Sequence, residues 1–184
     1  MRVFIKTFGC KVNFADTEEL AAGLAKHGHH CSFLPGTTDT AQKPDVVVVN
    51  TCAVTANSIK KARQYARRCM RELPGAQLIV TGCGAREESI AAHFTSLGAV
   101  VVGNLGAIAD ELGKGDFPVS PPRERRTRRF IKIQDGCNSF CTYCIIPYVR
   151  SLSSKPFPEV MDEILGALEE KTPEIVLCLS LIHI

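Results

Sequence analysis

The chain has 184 residues and a net charge of only +3, from 22 Lys and Arg against 19 Asp and Glu. Apolar residues make up 45% and charged residues 22%, which is ordinary for a folded protein and excludes a disordered chain. No apolar stretch approaches the roughly 18 residues of a membrane span, and the first residues do not resemble a secretory signal. We therefore predict a cytoplasmic protein without membrane contact.

Strands and helices alternate over the first two thirds of the sequence. The run at 46–49 consists of four valines, and a strand that is apolar on both faces is typical of the centre of a parallel sheet. The pattern predicts strands at 2–8, 46–49, 77–80 and 99–102, and helices at 13–26, 55–73, 87–94 and 108–112. This alternation predicts an α/β domain over residues 1–115, an open, doubly wound parallel sheet with helices on both faces.

The composition changes after residue 115. Residues 116–129 are rich in Pro and Arg, and we interpret them as a basic linker. Beyond it the pattern predicts a strand at 130–133, a cysteine-rich loop, a helix at 158–168 and a strand at 174–177. Residues 130–184 therefore begin a second α/β unit.

Nine cysteines are unusual for a chain of this size without a secretory signal. An odd number cannot all pair, and clustered cysteines in a reducing compartment more often bind metal or take part in chemistry. Cys137, Cys141 and Cys144 have the spacing C-x3-C-x2-C, so one loop can direct three thiolates at one centre. Structural zinc and iron–sulfur cubes normally take four protein ligands. The loop fits either zinc with a distant fourth ligand or an iron–sulfur cluster with one open iron.

Another set of cysteines, Cys10, Cys52 and Cys83, is spread along the sequence, but each follows a predicted strand. Parallel strands place their carboxyl ends at one edge, where ligands bind in open α/β sheets. The three thiols could converge on one metal site, or they could be buried as small apolar residues. Neighbouring glycines would let the backbone approach a bulky cluster.

Four segments resemble the motifs of the radical S-adenosylmethionine (radical SAM) methylthiotransferase family. They read TFGCKVN at 7–13, NTCAVT at 50–55, TGC at 81–83, and IKIQDGC at 131–137 running on to CIIP at 144–147. Enzymes of this family insert methylthio groups into tRNA or a ribosomal protein. The resemblance implies that residues 130–184 begin a radical SAM partial (β/α) barrel. It also implies one [4Fe–4S] cluster on Cys10, Cys52 and Cys83.

The same resemblance implies a further [4Fe–4S] cluster on Cys137, Cys141 and Cys144, with SAM on its open iron and Tyr143 near the SAM adenine. An external electron donor would reduce that cluster. Lys11 and Val12 after the first cysteine resemble the branch that acts on threonylcarbamoyladenosine, 3′ to the anticodon in the tRNA anticodon stem–loop. Isopentenyladenosine tRNA and ribosomal protein stay open as alternative substrates.

The sequence departs from the family at its end. The strand at 174–177 normally continues into a Thr-Gly turn that helps hold SAM, whereas here an atypical tail begins at about residue 178. We therefore expect the chain to be an N-terminal fragment that is inactive by itself. Two interpretations without catalysis also stay open: a zinc-binding, nucleic-acid-associated module and an electron-transfer iron–sulfur protein.

The remaining candidates have simpler interpretations. Cys31, Cys69 and Cys178 lie outside any motif, and we interpret them as core or surface thiols. The histidines at 27, 29 and 30 are interpreted as the solvated end of a helix. The helix at 55–73 carries a basic face, which is either simply solvated or in contact with tRNA phosphates. Its basic residues are Lys60, Lys61, Arg63, Arg67, Arg68 and Arg71.

Overall fold

The computed structural model describes residues 1–33, 43–115 and 127–178. Its main sheet has five parallel strands in the order β2-β1-β3-β4-β5. The strands are β1 (Arg2–Phe8), β2 (His30–Phe33), β3 (Val46–Thr51), β4 (Gln77–Gly82) and β5 (Val100–Val101). The helices that accompany them are α1 (Lys11–Lys26), α2 (Ala56–Glu72), α3 (Glu88–Ser96) and α4 (Gly106–Leu112). The predicted doubly wound α/β fold is confirmed.

Helices cover the sheet on both faces, and each face has its own apolar core. Val47 and Val49 of β3 point to one side, where they pack with residues of α2 and α3 such as Ala66 and Phe94. Val46 and Val48 point to the other side and pack with residues of α1 and α4. The four-valine run is apolar throughout because both of its faces are buried.

The histidine-rich segment after α1 differs from the prediction. His30 begins β2, an edge strand that the sequence pattern did not reveal. His29 is buried, and its Nε2 donates a hydrogen bond to the Gly113 carbonyl at 2.8 Å. The interpretation of this segment as a solvated helix end is therefore wrong for His29 and His30. A turn of only three residues separates helix from strand, which hides both boundaries.

The segment at 127–178 forms a smaller α/β unit. Strands β6 (Arg128–Lys132) and β9 (Glu174–Cys178) pair in parallel, and the crossover between them contains helix α6 (Phe157–Glu169). The crossover also contains β7 (Gln134–Asp135), the short helix α5 (Ile146–Val149) and β8 (Ser153–Ser154), with β7 and β8 antiparallel.

The predicted linker and tail fall largely outside the described residues, which omit 116–126 and 179–184. Strand β6 begins at Arg128, so it includes the last two residues that we assigned to the linker. Cys178 is the last residue of β9 and is buried. Across the described ranges, no helix combines the length and the apolar composition needed to cross a bilayer.

Candidate functional site

The three dispersed cysteines follow strands that are neighbours in the sheet. Strand β3 lies between β1 and β4, and the last residues of the three strands pair in register, Phe8 with Thr51 and Thr51 with Gly82. Cys52 and Cys83 directly follow β3 and β4, and Cys10 follows β1 by two residues. The fold therefore brings all three to the same carboxyl edge, as the sequence predicted.

Cys52 and Cys83 are in contact at this edge. Both side chains belong to one small buried cluster, and the two thiols interact with each other. The Ala53 N–H donates to Cys83 Sγ at 3.1 Å, and the Val54 N–H donates to Cys52 Sγ at 3.3 Å. The interaction with Cys52 is the main cause that lowers the pKa of Cys83 below that of an ordinary thiol. The lowered pKa favours the thiolate form, which is the form that binds metal.

Cys10 is exposed at the same edge and is the N-cap residue of helix α1. Its backbone N–H donates to Asn13 Oδ1 at 3.2 Å, and its sulfur lies 3.3 Å from the same oxygen. No three His, Cys, Asp or Glu side chains in the described ranges are gathered to hold a metal ion. The donor chemistry of the Cys52–Cys83 pair nevertheless fits an iron–sulfur cluster, because both ligands are sulfur and both receive backbone N–H groups.

Two buried asparagines fix the backbone behind these cysteines. Asn13 Nδ2 donates to Asn50 Oδ1 at 3.0 Å, and Asn50 Nδ2 donates to the Asn13 carbonyl at 2.8 Å. Both side chains are fully buried, so the pair ties the start of α1 to the end of β3. Sequence reasoning did not assign these residues a role. The signal that could have found Asn50 was an amide directly after four buried valines, since a buried amide needs a specific partner.

The glycines beside the cysteines make room for side chains of the protein. A Cβ on Gly9 would lie 2.3 Å from Asn13 Oδ1, and a Cβ on Gly82 would lie 2.2 Å from Asn50 Oδ1. Gly82 also has a φ of 90°, which favours glycine. The space that we expected a bulky cluster to need is therefore taken by the asparagine pair.

The clustered cysteines lie on the loop between β7 and α5. Cys137, Cys141 and Cys144 are partly buried, and the Cys144 N–H donates to the Cys141 carbonyl at 3.0 Å. The side-chain hydrogen bond with Ser139 is the main cause that lowers the pKa of Cys137. Tyr143 is 71% exposed, and the charge of Cys141 raises its pKa. Tyr143 therefore sits beside the thiols on the open side of the loop.

The two cysteine sets meet at one boundary. Ile145, which follows Cys144, and Val149 of α5 pack against buried Cys52 and Cys83. Just before the loop, Gly136 has a φ of 67°, and a Cβ there would lie 2.4 Å from the backbone of Ser151. Only glycine fits this close approach, which brings the start of the cysteine loop against the segment after α5.

A buried charge network joins the two sheets beside these cysteines. Arg150 has a side chain that is only 4% exposed, and it donates to Asp16 Oδ2 and to Asp135 Oδ1, each at 2.7 Å. Lys132 of β6 donates to Asp16 Oδ1 at 2.5 Å. Asp16 lies on α1, so both cations connect the smaller unit to the five-stranded sheet. None of these contacts was predicted from the sequence.

The network also sets the charge states of its members. Burial alone would raise the pKa of Asp135, but the hydrogen bond and charge of Arg150 outweigh it and lower that pKa. Burial alone would likewise lower the pKa of Arg150, but the charge of Asp16 and the hydrogen bond of Asp135 raise it. Arg150 also contributes, as a smaller cause, to the lowered pKa of Cys83. A permanent cation therefore stands next to the Cys52–Cys83 pair.

The three cysteines outside the motifs are all buried. Cys31 and Cys69 belong to the two core clusters of the sheet, and burial raises the pKa of each thiol. Burial raises the pKa of Cys178 as well. All three thiols are therefore protonated at neutral pH, as expected of core residues.

Comparison with known proteins identifies the family of the chain. Residues 2–103, which include Cys10, Cys52 and Cys83, match the family described as "Uncharacterized protein family UPF0004". The chain belongs to this family. Its similar curated proteins are methylthiotransferases that act on tRNA or on a ribosomal protein.

Three of these relatives show the range of substrates that the matching proteins are named for. The threonylcarbamoyladenosine tRNA methylthiotransferase MtaB of Chlamydia pneumoniae is 35% identical over 92% of this chain and 41% of its own length. The tRNA-2-methylthio-N(6)-dimethylallyladenosine synthase of Pseudothermotoga lettingae is 34% identical over 95% of this chain and 44% of its own length. The ribosomal protein uS12 methylthiotransferase RimO of Carboxydothermus hydrogenoformans is 29% identical over 96% of this chain and 44% of its own length. The chain thus spans about two fifths of the length of these relatives.

Proposed function

We propose that the chain belongs to a tRNA methylthiotransferase of the radical SAM type, which inserts a methylthio group at C2 of threonylcarbamoyladenosine. The match to MtaB of Chlamydia pneumoniae and the pair Lys11-Val12 support this substrate. In this proposal residues 1–115 form the N-terminal methylthiotransferase domain. Residues 116–129 form a linker, and residues 130–184 begin the radical SAM domain.

The observation that carries the proposal is the convergence of cysteines at the edge of the sheet. Residues 10, 52 and 83 are far apart in sequence, yet they follow three neighbouring strands, and two of their thiols are in contact. Cysteines that only fill core space would not be expected to follow three neighbouring strands at the ligand-binding edge of the sheet, with one of them exposed. We assign these three as ligands of one [4Fe–4S] cluster.

We assign Cys137, Cys141 and Cys144 to a second [4Fe–4S] cluster, with SAM on its open iron and Tyr143 near the SAM adenine. The C2–H of adenine is neither acidic nor attached to a leaving group, so acid–base catalysis by side chains cannot activate it. When bound, the clusters and SAM supply the radical and the sulfur that this reaction needs, with electrons from an external donor.

The residues of the chain hold these two centres in relation to each other. Ile145 and Val149 pack on the Cys52–Cys83 pair and exclude water from it. Arg150 fixes the segment after Cys144 to Asp16, and Asn13 and Asn50 fix the backbone of the sheet edge. The permanent charge of Arg150 favours the thiolate form of Cys83. These groups position the sulfur ligands and supply no proton to the substrate.

The test uses the full-length gene, of which we expect these 184 residues to be the N-terminal part. It is expressed in a bacterium that lacks its own threonylcarbamoyladenosine methylthiotransferase, and the tRNA nucleosides are analysed by mass spectrometry. We expect the methylthio form of threonylcarbamoyladenosine to return, and the Cys83→Ala variant to abolish it. Cys31→Ala is the matched control and keeps the activity, because this thiol belongs to the core. Methylthiolation of isopentenyladenosine or of a ribosomal protein instead would assign the chain to another branch.

A further inference from the structure

A cleft of about 580 Å³ lies between α2 and α3, beside the cysteine edge. Sites for small ligands have volumes of this order. Three cations of α2, Lys60, Arg63 and Arg67, line one wall. Their spacing of three and four residues places them on one face of the helix. The cleft therefore presents a row of positive charge that the proposed cluster ligands do not use.

These cations lack the ion pairs that neutralise others on the same helix. Arg68 and Arg71 both pair with Glu72, whereas Lys60, Arg63 and Arg67 have no ion pair within the described part of the chain. The cleft contains one carboxylate, Glu87, whose Oε2 accepts hydrogen bonds from the Ile90 N–H and the Ser89 hydroxyl. The lining thus has an excess of positive charge.

Two nitrogen atoms of this lining are buried without a hydrogen-bond partner in the described structure, Arg63 Nε and His93 Nε2. Buried polar atoms in folded proteins are nearly always hydrogen-bonded, so each exception calls for an explanation. Both residues are only partly buried, so an anionic ligand in the cleft would give Arg63 the acceptor that it lacks once the side chain turns its Nε toward the cleft.

Apart from Gln64 and Ser89, the rest of the lining is apolar, and it reaches both cysteine sets. Ile59 and Ile90 form part of the walls, Ala53 follows Cys52, and Ile145 follows Cys144. A ligand that combines an anionic group with a flat, apolar part matches this surface. Nucleotides of single-stranded RNA have this combination, and proteins bind them by placing cations on the phosphate and side chains against the base.

We propose that the cleft binds one nucleotide of the RNA substrate, with its phosphate on Lys60, Arg63 and Arg67. Its base or ribose lies against Ile59, Ile90 and Ile145. This inference rests on the proposed function, which supplies RNA as the ligand. Because Ala53 and Ile145 adjoin ligands of the two centres, the bound nucleotide flanks the site of chemistry and aligns the RNA there.

The test is the binding of a fluorescein-labelled RNA stem–loop to the 184-residue chain, measured by fluorescence anisotropy over a range of salt concentrations. The cleft variant is K60Q/R63Q/R67Q. The matched control is K61Q/R68Q/R71Q, which removes the same number of charges from the same helix outside the cleft. Glutamine is a good helix former, so both variants keep α2, as circular dichroism would show.

We expect the cleft variant to weaken RNA binding about tenfold. The log–log slope of its salt dependence should fall by about 0.7 for each phosphate that the protein no longer neutralises. The control should change affinity by no more than about twofold, since it removes only long-range attraction. Equal weakening by both variants, or no RNA binding by the wild-type chain, would overturn the proposal. The proposal would also be overturned if the cleft variant lost binding to adenosine monophosphate but kept its affinity for RNA.

Failure of this inference is distinguishable from failure of the proposed function. Iron loading under anaerobic conditions reports on the cysteines and does not involve the cleft. A cleft variant that loads iron like the wild type and binds RNA equally well would leave the methylthiotransferase proposal standing without an RNA site here. A wild-type chain that binds RNA through the cleft but loads no iron would support the RNA site and contradict the methylthiotransferase proposal.

Discussion

The five-stranded sheet and the smaller unit of β6, α6 and β9 bury their apolar residues to different extents. In the sheet, Val3, Val48, Ile79 and Phe94 are all less than 2% exposed. In the described part of the smaller unit, the buried apolar residues are only Ile131, Val149, Ala167 and Cys178. Eight large apolar side chains there are exposed: Phe140, Tyr143, Tyr148, Leu152, Phe157, Leu165, Leu168 and Leu177.

This difference shows how the two regions hold their cysteines. The sheet has a closed core on each face, so Cys52 and Cys83 stand on a rigid support. The loop with Cys137 belongs to a unit with little core of its own. Its position relative to the sheet depends on the buried charges of Arg150, Lys132 and Asp16, together with a small apolar contact of Ile145 and Val149. Apolar substitutions should therefore destabilise the five-stranded sheet most. Charge substitutions should mainly weaken the contact between the sheet and the smaller unit, called the joint below.

The largest effect is expected in the core of the sheet. Phe94→Ala removes a fully buried ring and should lower the free energy of unfolding by about 4 kcal/mol, because apolar burial is removed and a cavity remains. Leu165→Ala, at a position that is 50% exposed in the smaller unit, should cost less than about 0.5 kcal/mol. Chemical denaturation measures both. Similar costs for the two variants would contradict the difference described above.

A smaller effect is expected at the joint. Arg150→Met leaves buried Asp16 with a single cation and should cost about 3 kcal/mol, because the charge that remains is poorly compensated. The destabilisation should be local. Hydrogen exchange should quicken in β6 and β9 and stay slow in β1, β3 and β4. Uniform quickening over both sheets would show that the network stabilises the whole molecule instead of joining two parts.

Acid should loosen the same joint. Glu19 of α1 belongs to the same network, because it pairs with Lys132 and Lys155. The pKa values of Asp135 and Glu19 are lowered in the fold, where cations outweigh the effect of burial. Groups with a lowered pKa stabilise the folded state above their unfolded pKa, and that contribution is lost as the pH falls through the folded value. Below about pH 4 the amides of β6 and β9 should therefore exchange faster before those of the sheet. Simultaneous loss of protection would contradict this order.

The smallest effect is expected for an exposed ion pair of the smaller unit. Arg128 and Glu174 lie 2.5 Å apart on β6 and β9, but their side chains are about half exposed. Arg128→Gln should change the free energy of unfolding by no more than about 0.5 kcal/mol, since solvent screens such pairs. This variant is the matched control for Arg150→Met. A cost as large as that of Arg150→Met would mean that burial does not set the importance of these charges.

The sequence was sufficient to predict most strands of the sheet because the periodicity of apolar residues is a local signal. The alternation and the four-valine run predicted β1, β3, β4 and their helices, and the cysteines at strand ends predicted the shared edge. Strand β2 was missed because edge strands are short and little hydrophobic pattern marks them. His29 was misplaced because its partner, the Gly113 carbonyl, is distant in sequence.

The charge network and the asparagine pair could not be predicted for the same reason. Asp16 and Arg150 are 134 residues apart, and Asn13 and Asn50 are 37 apart. Nothing in the local sequence distinguishes Asp16 from a solvated helix residue. Such long-range polar interactions are known only once the chain is folded. The glycines beside the cysteines were expected to make room for a cluster. In the structure, the space beside Gly9 and Gly82 is occupied by the side chains of Asn13 and Asn50.

The most direct test of the central claim, that the chain holds two separate clusters, is the iron content after anaerobic reconstitution with iron and sulfide. We predict about eight irons per chain, and about four after either Cys83→Ala or Cys141→Ala. Cys31→Ala should leave the full content. Zinc in place of iron, or an iron content that Cys83→Ala does not change, would contradict the assignment of two clusters.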